Sequence, residues 1–355
     1  MTHYPLLSCD LTKIRHNVGA LVSLAARYGV SVAAVTKVVC AATPVVRALD
    51  DAGIAYFADS RLQNLESIRS SKPKLLLRIG MRSEAEQIVS VADVSLQSEI
   101  STVRALGEAA AAMHKRHRVV LMIDLGDLRE GVFFRDTDGI LALAQAVPDA
   151  PALELFGVGT NLTCFGGILP DETNLGSLCQ IAEMLRQRFG VALPFVSGGN
   201  SSSLSLLAEG RMPRGITNLR LGESILRGND TAACALFPGL AGDAFTFRAE
   251  IVELRQKPSV PTGVAGKNAF GERVAFIDRG EMRRAILACG RQDVDETGLT
   301  PLDPRVAILG ASSDHLILDL TQAKDYGIGD TISFLPSYGA LLRASTSPYV
   351  YKIYR

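Results

Sequence analysis

The sequence contains no tryptophan, only 6% aromatic residues and no excess of charge of either sign. Its 37 basic and 37 acidic side chains give a formal net charge of zero, whereas nucleic acids and anionic membrane surfaces are bound by clustered lysine and arginine. We therefore expect neither a nucleic-acid partner nor a membrane partner. The chain has 355 residues, 47% hydrophobic and 21% charged, a globular composition that excludes fibrous, disordered and disulfide-scaffold classes.

The six cysteines are scattered, with no C-x-x-C pair and no histidine at the spacing of a metal site. We expect reduced, mostly buried thiols and no metal ion. The first residues, MTHYPLLSCDLTKIRHN, lack the features of a signal peptide. No apolar run approaches the roughly 18 residues that span a bilayer. The sequence therefore predicts a cytoplasmic protein.

Residues 8–235 alternate short β-branched runs with longer helical patterns, which is typical of parallel strands joined by crossover helices. A doubly wound open sheet would need a glycine-rich phosphate loop after its first strand, and VVCAATP at that position has no glycine. The sequence therefore favours an α/β fold whose N-terminal domain is a (β/α)8 TIM barrel. The eight predicted strands are Ser31–Val38, Ile54–Ser60, Lys74–Ile79, Ala92–Ser98, Arg118–Gly126, Leu153–Asn161, Pro194–Ser201 and Asn218–Glu223. The predicted helices between them include Leu11–Tyr28, with Asp10 as its N-cap, Ile100–Lys115, Asp136–Ala146 and Asp171–Phe189.

Residues 236–355 lose the helical periodicity, and with the first few residues of the chain they are predicted to form a mainly β domain. Gln256–Gly271 is rich in glycine, proline and lysine and is predicted to be a loop or hairpin. The predicted strands are Phe245–Leu254, Glu272–Ile277, Arg284–Ala288, Arg305–Gly310, His315–Leu320 and Thr331–Leu335.

Polar residues at the ends of the predicted barrel strands are the candidates for function, because barrel active sites lie at the carboxyl ends of strands. Lys37, in AVTKVV, stands among apolar residues. A lysine in such surroundings is either paired or used chemically, because burial lowers the pKa of an amine and leaves it nucleophilic. Both a Schiff base with an aldehyde cofactor and a salt bridge with Asp59 or Asp124 fit this pattern.

The stretch SGGNSSSL, around Asn200 and Ser201, combines two glycines with hydroxyl side chains at the start of a predicted helix. It reads either as a phosphate cradle or as a serine-rich helix cap. The adjacent NLRLGES favours the cradle, since barrel phosphate sites are formed by the loops after strands seven and eight. A reactive lysine after the first predicted barrel strand and a phosphate site after the seventh together indicate pyridoxal phosphate as the cofactor.

These motifs, in this order, resemble the alanine racemase-like, fold type III pyridoxal-phosphate enzymes. VTKVVCA and FADSR are most similar to the alanine/ornithine racemase group. The resemblance implies that Lys37 carries the cofactor as an internal aldimine. It also implies that Arg129, in DLGDLREG, approaches the phenolic oxygen of the cofactor and that Arg220 faces its ring nitrogen. The resemblance assigns Asn200, Ser201 and Tyr338 to the phosphate of the cofactor. Gly222, which matches the eighth-strand R-x-G motif with Arg220, and the following Glu223 are further cofactor-binding candidates.

Three positions depart from the family pattern. Ala41 stands in place of a phosphate-binding tyrosine, Asn161 in place of a histidine that packs on the ring, and Gly290-Arg291 in place of the Gly-Tyr that supplies the base on the opposite face. We consider Ser313 and His315 in GASSDHL as the catalytic groups of that face. Cys289 and Tyr338 are weaker candidates, and both a core position for His315 and inert burial for Cys289 are alternatives.

The favoured function is racemisation of a free amino acid, ornithine first, through Cα proton exchange at Lys37. The family also implies a head-to-tail homodimer in which the β domain completes the active site of the partner. The alternatives are a decarboxylase of the same architecture, because GASSDHL also resembles a decarboxylase segment, and a non-catalytic pyridoxal-phosphate homeostasis protein. Four carboxylates could meet a substrate ammonium or could be turn residues, namely Asp293, Asp295, Glu296 and Asp314.

Overall fold

The computed structural model describes residues 3–268, 270–271, 273 and 275–355. The chain folds into two compact units, which are described separately below. The first is Leu11–Gly242, and the second combines residues 3–10 with Asp243–Arg355. No helix in these described residues is both long and apolar enough to cross a membrane.

The first unit is built on eight parallel strands that close into a barrel. Their order around the barrel is β5-β4-β3-β2-β10-β9-β8-β6, and β5 pairs with β6 to close the ring. The two-residue β7 pairs with the end of β6, and β11 and β12 form a separate hairpin. The closed ring rules out the open doubly wound sheet and confirms the predicted (β/α)8 barrel. Numbered along the chain after β1 (Leu6–Cys9) of the second unit, these strands are β2 (Ser31–Val35), β3 (Tyr56–Asp59), β4 (Lys74–Leu76), β5 (Val94–Gln97), β6 (His117–Asp124), β7 (Val132–Phe133), β8 (Leu153–Gly159), β9 (Phe195–Ser197), β10 (Asn218–Leu221), β11 (Asn229–Asp230) and β12 (Ala235–Leu236).

Nine α-helices follow or connect these strands within Leu11–Gly242. Two of them begin at a capping aspartate: Asp136 accepts a hydrogen bond from the amide of Gly139, and Asp171 forms a capping box with Asn174. The helices are α1 (Leu11–Ala26), α2 (Thr43–Asp50), α3 (Leu62–Ser67), α4 (Ala85–Val91), α5 (Ile100–Ala112), α6 (Thr137–Gln145), α7 (Glu172–Phe189), α8 (Leu204–Ala208) and α9 (Glu223–Arg227).

Alternate side chains of the strands fill the barrel with a dry core. Phe195 of β9 is at its centre, with ring centroids 5.5 Å from Tyr56 and 5.7 Å from Phe156. The other buried members of this cluster are small or branched, as expected where side chains from all strands converge in layers. They are Ala33, Val35, Ala58, Leu75, Val94, Leu96, Val120 and Met122.

The barrel strands end earlier than the sequence predicts. β2 stops at Val35 because Thr36 has helical backbone angles and Lys37–Val39 forms one turn of 3-10 helix, so the predicted extension to Val38 is wrong. β8 likewise stops at Gly159, and Asn161 lies beyond it. After β2 the apolar residues Val38 and Val39 follow the end of the ladder, so hydrophobicity alone does not mark where a ladder ends.

The second unit is an eight-stranded, mainly antiparallel sheet. Its central order is β15-β18-β13-β14-β17-β16, and β1 pairs antiparallel with β13 and parallel with β19. One helix, α10 (Tyr338–Thr346), follows β18. The remaining strands are β13 (Phe245–Pro258), β14 (Glu281–Leu287), β15 (Leu299–Pro301), β16 (Ala307–Ala311), β17 (Leu316–Asp319), β18 (Thr331–Pro336) and β19 (Tyr351–Tyr354).

Two predictions in the second unit need correction. In the predicted strand Glu272–Ile277, Glu272 and Val274 lie outside the described residues, and the other four residues are not in a strand. The predicted loop Gln256–Gly271 begins too early, because β13 continues to Pro258 and pairs there with Glu281 of β14. Residues 256–258 belong to a stretch rich in glycine, proline and lysine, a composition that is typical of loops.

Gly157 tests how tightly the barrel is closed. It pairs with Phe195 of the neighbouring strand, and an added Cβ would lie 1.8 Å from the Phe195 carbonyl oxygen. We expect Gly157→Ala to lower the free energy of unfolding by about 3 kcal/mol or more, because the strands would have to separate. Gly176→Ala, in α7 with nothing within 4 Å of the added Cβ, should stabilise by up to about 1 kcal/mol. Urea unfolding of both variants measures this, and equal stabilities would contradict the described closure.

Candidate active site at the carboxyl rim of the barrel

The candidate residues of the barrel stand on five consecutive strands of the ring. In order around the rim these are β2, β10, β9, β8 and β6, which are followed or occupied by Lys37, Arg220, Ser201, Asn161 and Arg129. Because the carboxyl ends of parallel strands meet on one rim, one side of the barrel mouth carries all five.

Lys37 lies in the 3-10 turn after β2 and is half-buried. The turn is anchored by Asp59, the last residue of β3, whose Oδ2 accepts a hydrogen bond of 2.7 Å from the Thr36 hydroxyl. Asp59 is fully buried and also accepts from the Arg61 amide and the Asn64 side chain, both at 3.0 Å. Burial raises the pKa of Asp59, while these hydrogen bonds oppose the rise. Asp59 therefore fixes the residue next to Lys37.

A second buried acid, Asp127, ties the loop after β6 to the loop after β8. Its carboxylate accepts four backbone hydrogen bonds of 2.9–3.1 Å. The sequence analysis did not identify this residue, although it lies within DLGDLREG, the motif that contains Arg129. The four amides belong to Thr163, Cys164, Phe165 and Ile168.

A continuous chain of hydrogen bonds crosses this side of the rim and joins Arg129, Glu130, Asn161 and Arg220. The Arg129 guanidinium donates to both carboxylate oxygens of Glu130, and the Asn161 side-chain amide donates to Oε1 of the same carboxylate. Asn161 Oδ1 in turn accepts a hydrogen bond of 2.7 Å from Nη2 of Arg220. Three residues identified from the sequence are thus joined by Glu130, which the sequence analysis missed.

Arg220 carries its charge inside the barrel, with only 3% of its surface exposed. Its guanidinium donates to Ser197 Oγ at 2.6 Å, to the Thr160 carbonyl at 2.5 Å and to Asn161. Burial lowers the pKa of Arg220 to about 10, and Glu130 opposes this effect. The pKa of Glu130 lies below its usual value because Arg129 and Asn161 together outweigh its own burial. Both groups are therefore charged at neutral pH.

The loops after β9 and β10 are pinned together by Ser201. Its Oγ accepts from the amides of Gly222, at 3.4 Å, and Ser224, at 3.2 Å. Asn200 caps the turn by accepting from the Ser202 amide at 2.8 Å, and it donates to the Leu162 carbonyl at 3.1 Å. The predicted helix cap is present, and it leaves the cradle alternative open.

Glu223 and Tyr338 each begin a helix. Glu223 is the first residue of α9 and accepts a hydrogen bond of 2.7 Å from Arg227, one turn later. Tyr338 is the first residue of α10 in the second unit, directly after the N-cap Ser337.

In the second unit, the segments 290–293 and 312–315 hydrogen-bond to each other. The amide of Arg291 donates to the Ser312 carbonyl at 2.9 Å, and the amide of Gln292 donates to the Ser313 carbonyl at 3.0 Å. The Arg291 guanidinium pairs with Glu296 at 2.7 Å and stacks 4.1 Å from the Phe270 ring centroid. An arginine that is held in this way presents no proton-transfer group.

His315 is exposed, and its Nδ1 lies 3.0 Å from Asp314 Oδ1. The alternative of a satisfied core histidine is therefore wrong. Ser313 is also exposed, with its hydroxyl 3.4 Å from the same carboxylate oxygen. Asp314 thus faces both candidate groups.

Burial excludes Cys289 as a proton-transfer group. Its side chain is buried, and this burial raises the pKa of the thiol, as does the nearby Asp293. All six cysteines are free thiols, as expected, but only Cys9 and Cys289 are buried, so the expectation of mostly buried thiols is wrong. Within the described ranges no group of His, Cys, Asp or Glu side chains could hold a metal ion.

The acidic residues near Gly290 serve the local fold. Asp293 accepts from the Gly290 amide at 3.0 Å, and Asp295 caps the turn at Thr297. Glu296 pairs with Arg291. These contacts support the interpretation of the three acids as turn residues.

Comparison with known proteins supplies the family. Residues 9–229 match the family described as alanine racemase, N-terminal domain. The chain is 45% identical over 351 residues, covering 98% of the chain and 99% of the relative, to the ornithine racemase of Acetoanaerobium sticklandii. It is 37% identical over 354 residues, covering 99% of the chain and 98% of the relative, to the lysine racemase of Thermotoga maritima.

The solved structure of alanine racemase from Bartonella henselae, with covalently bound pyridoxal phosphate, has the same fold. It superimposes with a TM-score of 0.72 at 17% identity and covers 99% of both chains. These findings confirm the predicted family, the predicted fold and the predicted class of enzyme, an amino-acid racemase. The family match over most of the barrel and the identity to relatives along nearly the whole chain show that this protein belongs to the alanine racemase family.

Proposed function

We propose that this protein is a pyridoxal-phosphate-dependent racemase of a free basic amino acid, with ornithine as the preferred substrate and lysine next. The observation that carries this proposal is the joint placement of Lys37, in the turn after β2, and Arg220, in the neighbouring strand β10, at the rim of the barrel. The named activities of the two relatives supply the substrate class. These names also favour the racemase over a decarboxylase or a cofactor-carrying protein.

The residues of the rim fit pyridoxal phosphate. Ser202 Oγ, in the turn that follows Asn200 and Ser201, is buried without a hydrogen-bond partner and can donate to a phosphate oxygen. At Gly222 an added Cβ would lie 3.1 Å from Val35, so the chain approaches closely only with glycine there. The phosphate would be held by the Ser202 hydroxyl together with Asn200, Ser201 and the backbone at Gly222 and Glu223.

The reactive end of the cofactor would lie between three cationic side chains and one amide. Lys37 Nζ would bind the aldehyde carbon, Arg129 would meet the phenolic oxygen, and Arg220 would face the ring nitrogen, with Asn161 beside the ring. When bound, the cofactor supplies an electron-withdrawing ring that makes the substrate Cα proton acidic. Lys37 then removes and returns that proton on one face of Cα. The Arg220 guanidinium has hydrogen-bond donors only, so it cannot accept a hydrogen bond from a protonated ring nitrogen. The ring nitrogen would therefore stay unprotonated.

Racemisation also needs a proton donor and acceptor on the opposite face of Cα. We propose that this group is the partner subunit's His315 in a head-to-tail homodimer, oriented by Asp314 through the Nδ1 contact of 3.0 Å. Ser313 is the second candidate, since its hydroxyl meets the same carboxylate.

A cytoplasmic location of the protein stays a prediction from the sequence.

Lys37 provides the direct test of this proposal. Lys37→Ala should lose cofactor attachment and lower ornithine racemisation by about a thousandfold or more, because nucleophile and base are lost together. Lys37→Arg keeps the charge but not a nucleophilic amine, so it should lose both as well. Borohydride reduction and peptide mapping of the wild-type protein should locate the cofactor on Lys37, and racemisation by either variant at the wild-type rate would falsify the assignment.

His315→Gln separates the two faces. We expect racemisation to fall by about a hundredfold, as when a general acid–base group is removed, while the Cα proton of one enantiomer still exchanges with D2O at Lys37. Proton NMR of L-ornithine and D-ornithine, each followed separately, measures this difference. His16→Gln, at an exposed histidine of α1, is the matched control. Loss of exchange from both enantiomers, or from neither, contradicts the role of His315.

A further inference from the structure

Glu130 stands at the centre of the charged chain on the barrel rim, and no motif assigns it a role. Both of its carboxylate oxygens are engaged by Arg129, and Oε1 also accepts from the Asn161 amide. Its side chain is 17% exposed, whereas that of Arg129 is 40% exposed. The carboxylate of Glu130 is therefore largely shielded from water, in contrast to the acids of ordinary surface pairs, while Arg129 stays exposed.

We propose that Glu130 is a positioning residue for the cofactor site: it aims Arg129 and fixes the amide of Asn161 against Arg220. This proposal rests on the proposed function, in which Arg129, Asn161 and Arg220 contact the cofactor. Glu130 itself acts only through these three side chains.

The amide of Asn161 shows how the positioning works. Its Nδ2 donates to Glu130, and its Oδ1 accepts from Arg220 at 2.7 Å. Rotating the amide by half a turn would place Nδ2 against the donors of Arg220 and Oδ1 against the carboxylate, and both contacts would be repulsive. A carboxylate on one side and a guanidinium on the other therefore allow one orientation only.

The charges alternate along the same chain. Two guanidiniums, of Arg129 and Arg220, share one side of the rim, and Arg129 lowers the pKa of Arg220 while Glu130 raises it. The carboxylate between them lets both remain charged at short range. Bidentate pairing also gives the Arg129 guanidinium a defined plane, which a single neutral acceptor would not.

The variant Glu130→Gln removes the negative charge and one of the two acceptor oxygens, so the pairing with Arg129 is no longer bidentate and an amide nitrogen faces the guanidinium in place of Oε2. Glu130→Asp keeps both oxygens but withdraws them by one methylene. The matched control is Glu154→Gln, which removes the same charge from β8 at the opposite end of the barrel, where Glu154 lies 3.6 Å from Arg118.

The first measurement uses the protein without cofactor and follows modification of Arg129 by phenylglyoxal, mapped by mass spectrometry. We expect the rate in Glu130→Gln to rise about tenfold, because a charge-assisted hydrogen bond that restrains the guanidinium is lost. Glu130→Asp should lie between that variant and wild type, and Glu154→Gln should equal wild type. If Glu130→Gln does not fold, Glu130→Asp carries the test. An unchanged Arg129 rate in the variant used overturns the proposal.

The second measurement is the pH midpoint of the visible absorbance of protein-bound pyridoxal phosphate. A misaimed Arg129 no longer stabilises the deprotonated phenolic oxygen, so Glu130→Gln should move the midpoint upward by about one pH unit. If Glu130 acted through its charge alone, its loss would move the midpoint downward. A downward shift or no shift overturns this proposal and leaves the proposed function intact, whereas a wild-type protein that binds no pyridoxal phosphate overturns both.

Discussion

Closure of the barrel by the pairing of β5 with β6 is the constraint on which the arrangement of the site depends. Once the ring is closed, the carboxyl ends of all eight strands share one rim, above a core packed around Phe195. Lys37 and Arg220 then follow or occupy neighbouring strands, and Arg129 and Asn161 follow the neighbouring strands β6 and β8. Residues up to 183 positions apart in the chain are thereby placed on one side of a single opening.

Within that opening the main energetic problem is the burial of charge. Arg220 is 3% exposed, and an isolated charge there would be costly. Its hydrogen bonds are accepted by Ser197, the Thr160 carbonyl and Asn161. The opposite charge comes from Glu130, which accepts a hydrogen bond from Asn161. This is a satisfied polar network, which rigidifies a site, whereas a partly satisfied one would weaken it.

The sequence predicted the residues with local signals and missed those whose role depends on contacts across loops. Arg220 and Asn200 stand in recognisable motifs next to strands, and the eight-strand pattern of the sequence predicted that both lie on one rim. Glu130 carried no separate signal, because its importance comes from Asn161, which is 31 residues away. Asp127 is similar, since it binds the backbone of a loop that begins 36 residues later. Such pairings follow from closure of the ring and are not visible in a local pattern.

The ends of strands were the other weakness of the sequence analysis. Hydrophobicity continues through Val38, but Thr36 bonds to Asp59 and turns the chain, so Lys37 lies in a tight turn above the barrel and not in its wall. In the second unit residues 256–258 were predicted to be a loop because their stretch is rich in glycine, proline and lysine, yet they end β13 and pair with β14. In both cases the limit is the same: side-chain character reports burial, while the strand is defined by backbone partners.

Proton NMR of L-ornithine in D2O with the pyridoxal-phosphate-loaded protein, followed by chiral analysis, tests the central claim most directly. The account predicts loss of the Cα signal together with accumulation of D-ornithine, faster than for lysine and much faster than for alanine. Appearance of an amine and carbon dioxide, or an unchanged Cα signal with the cofactor bound at Lys37, would contradict it.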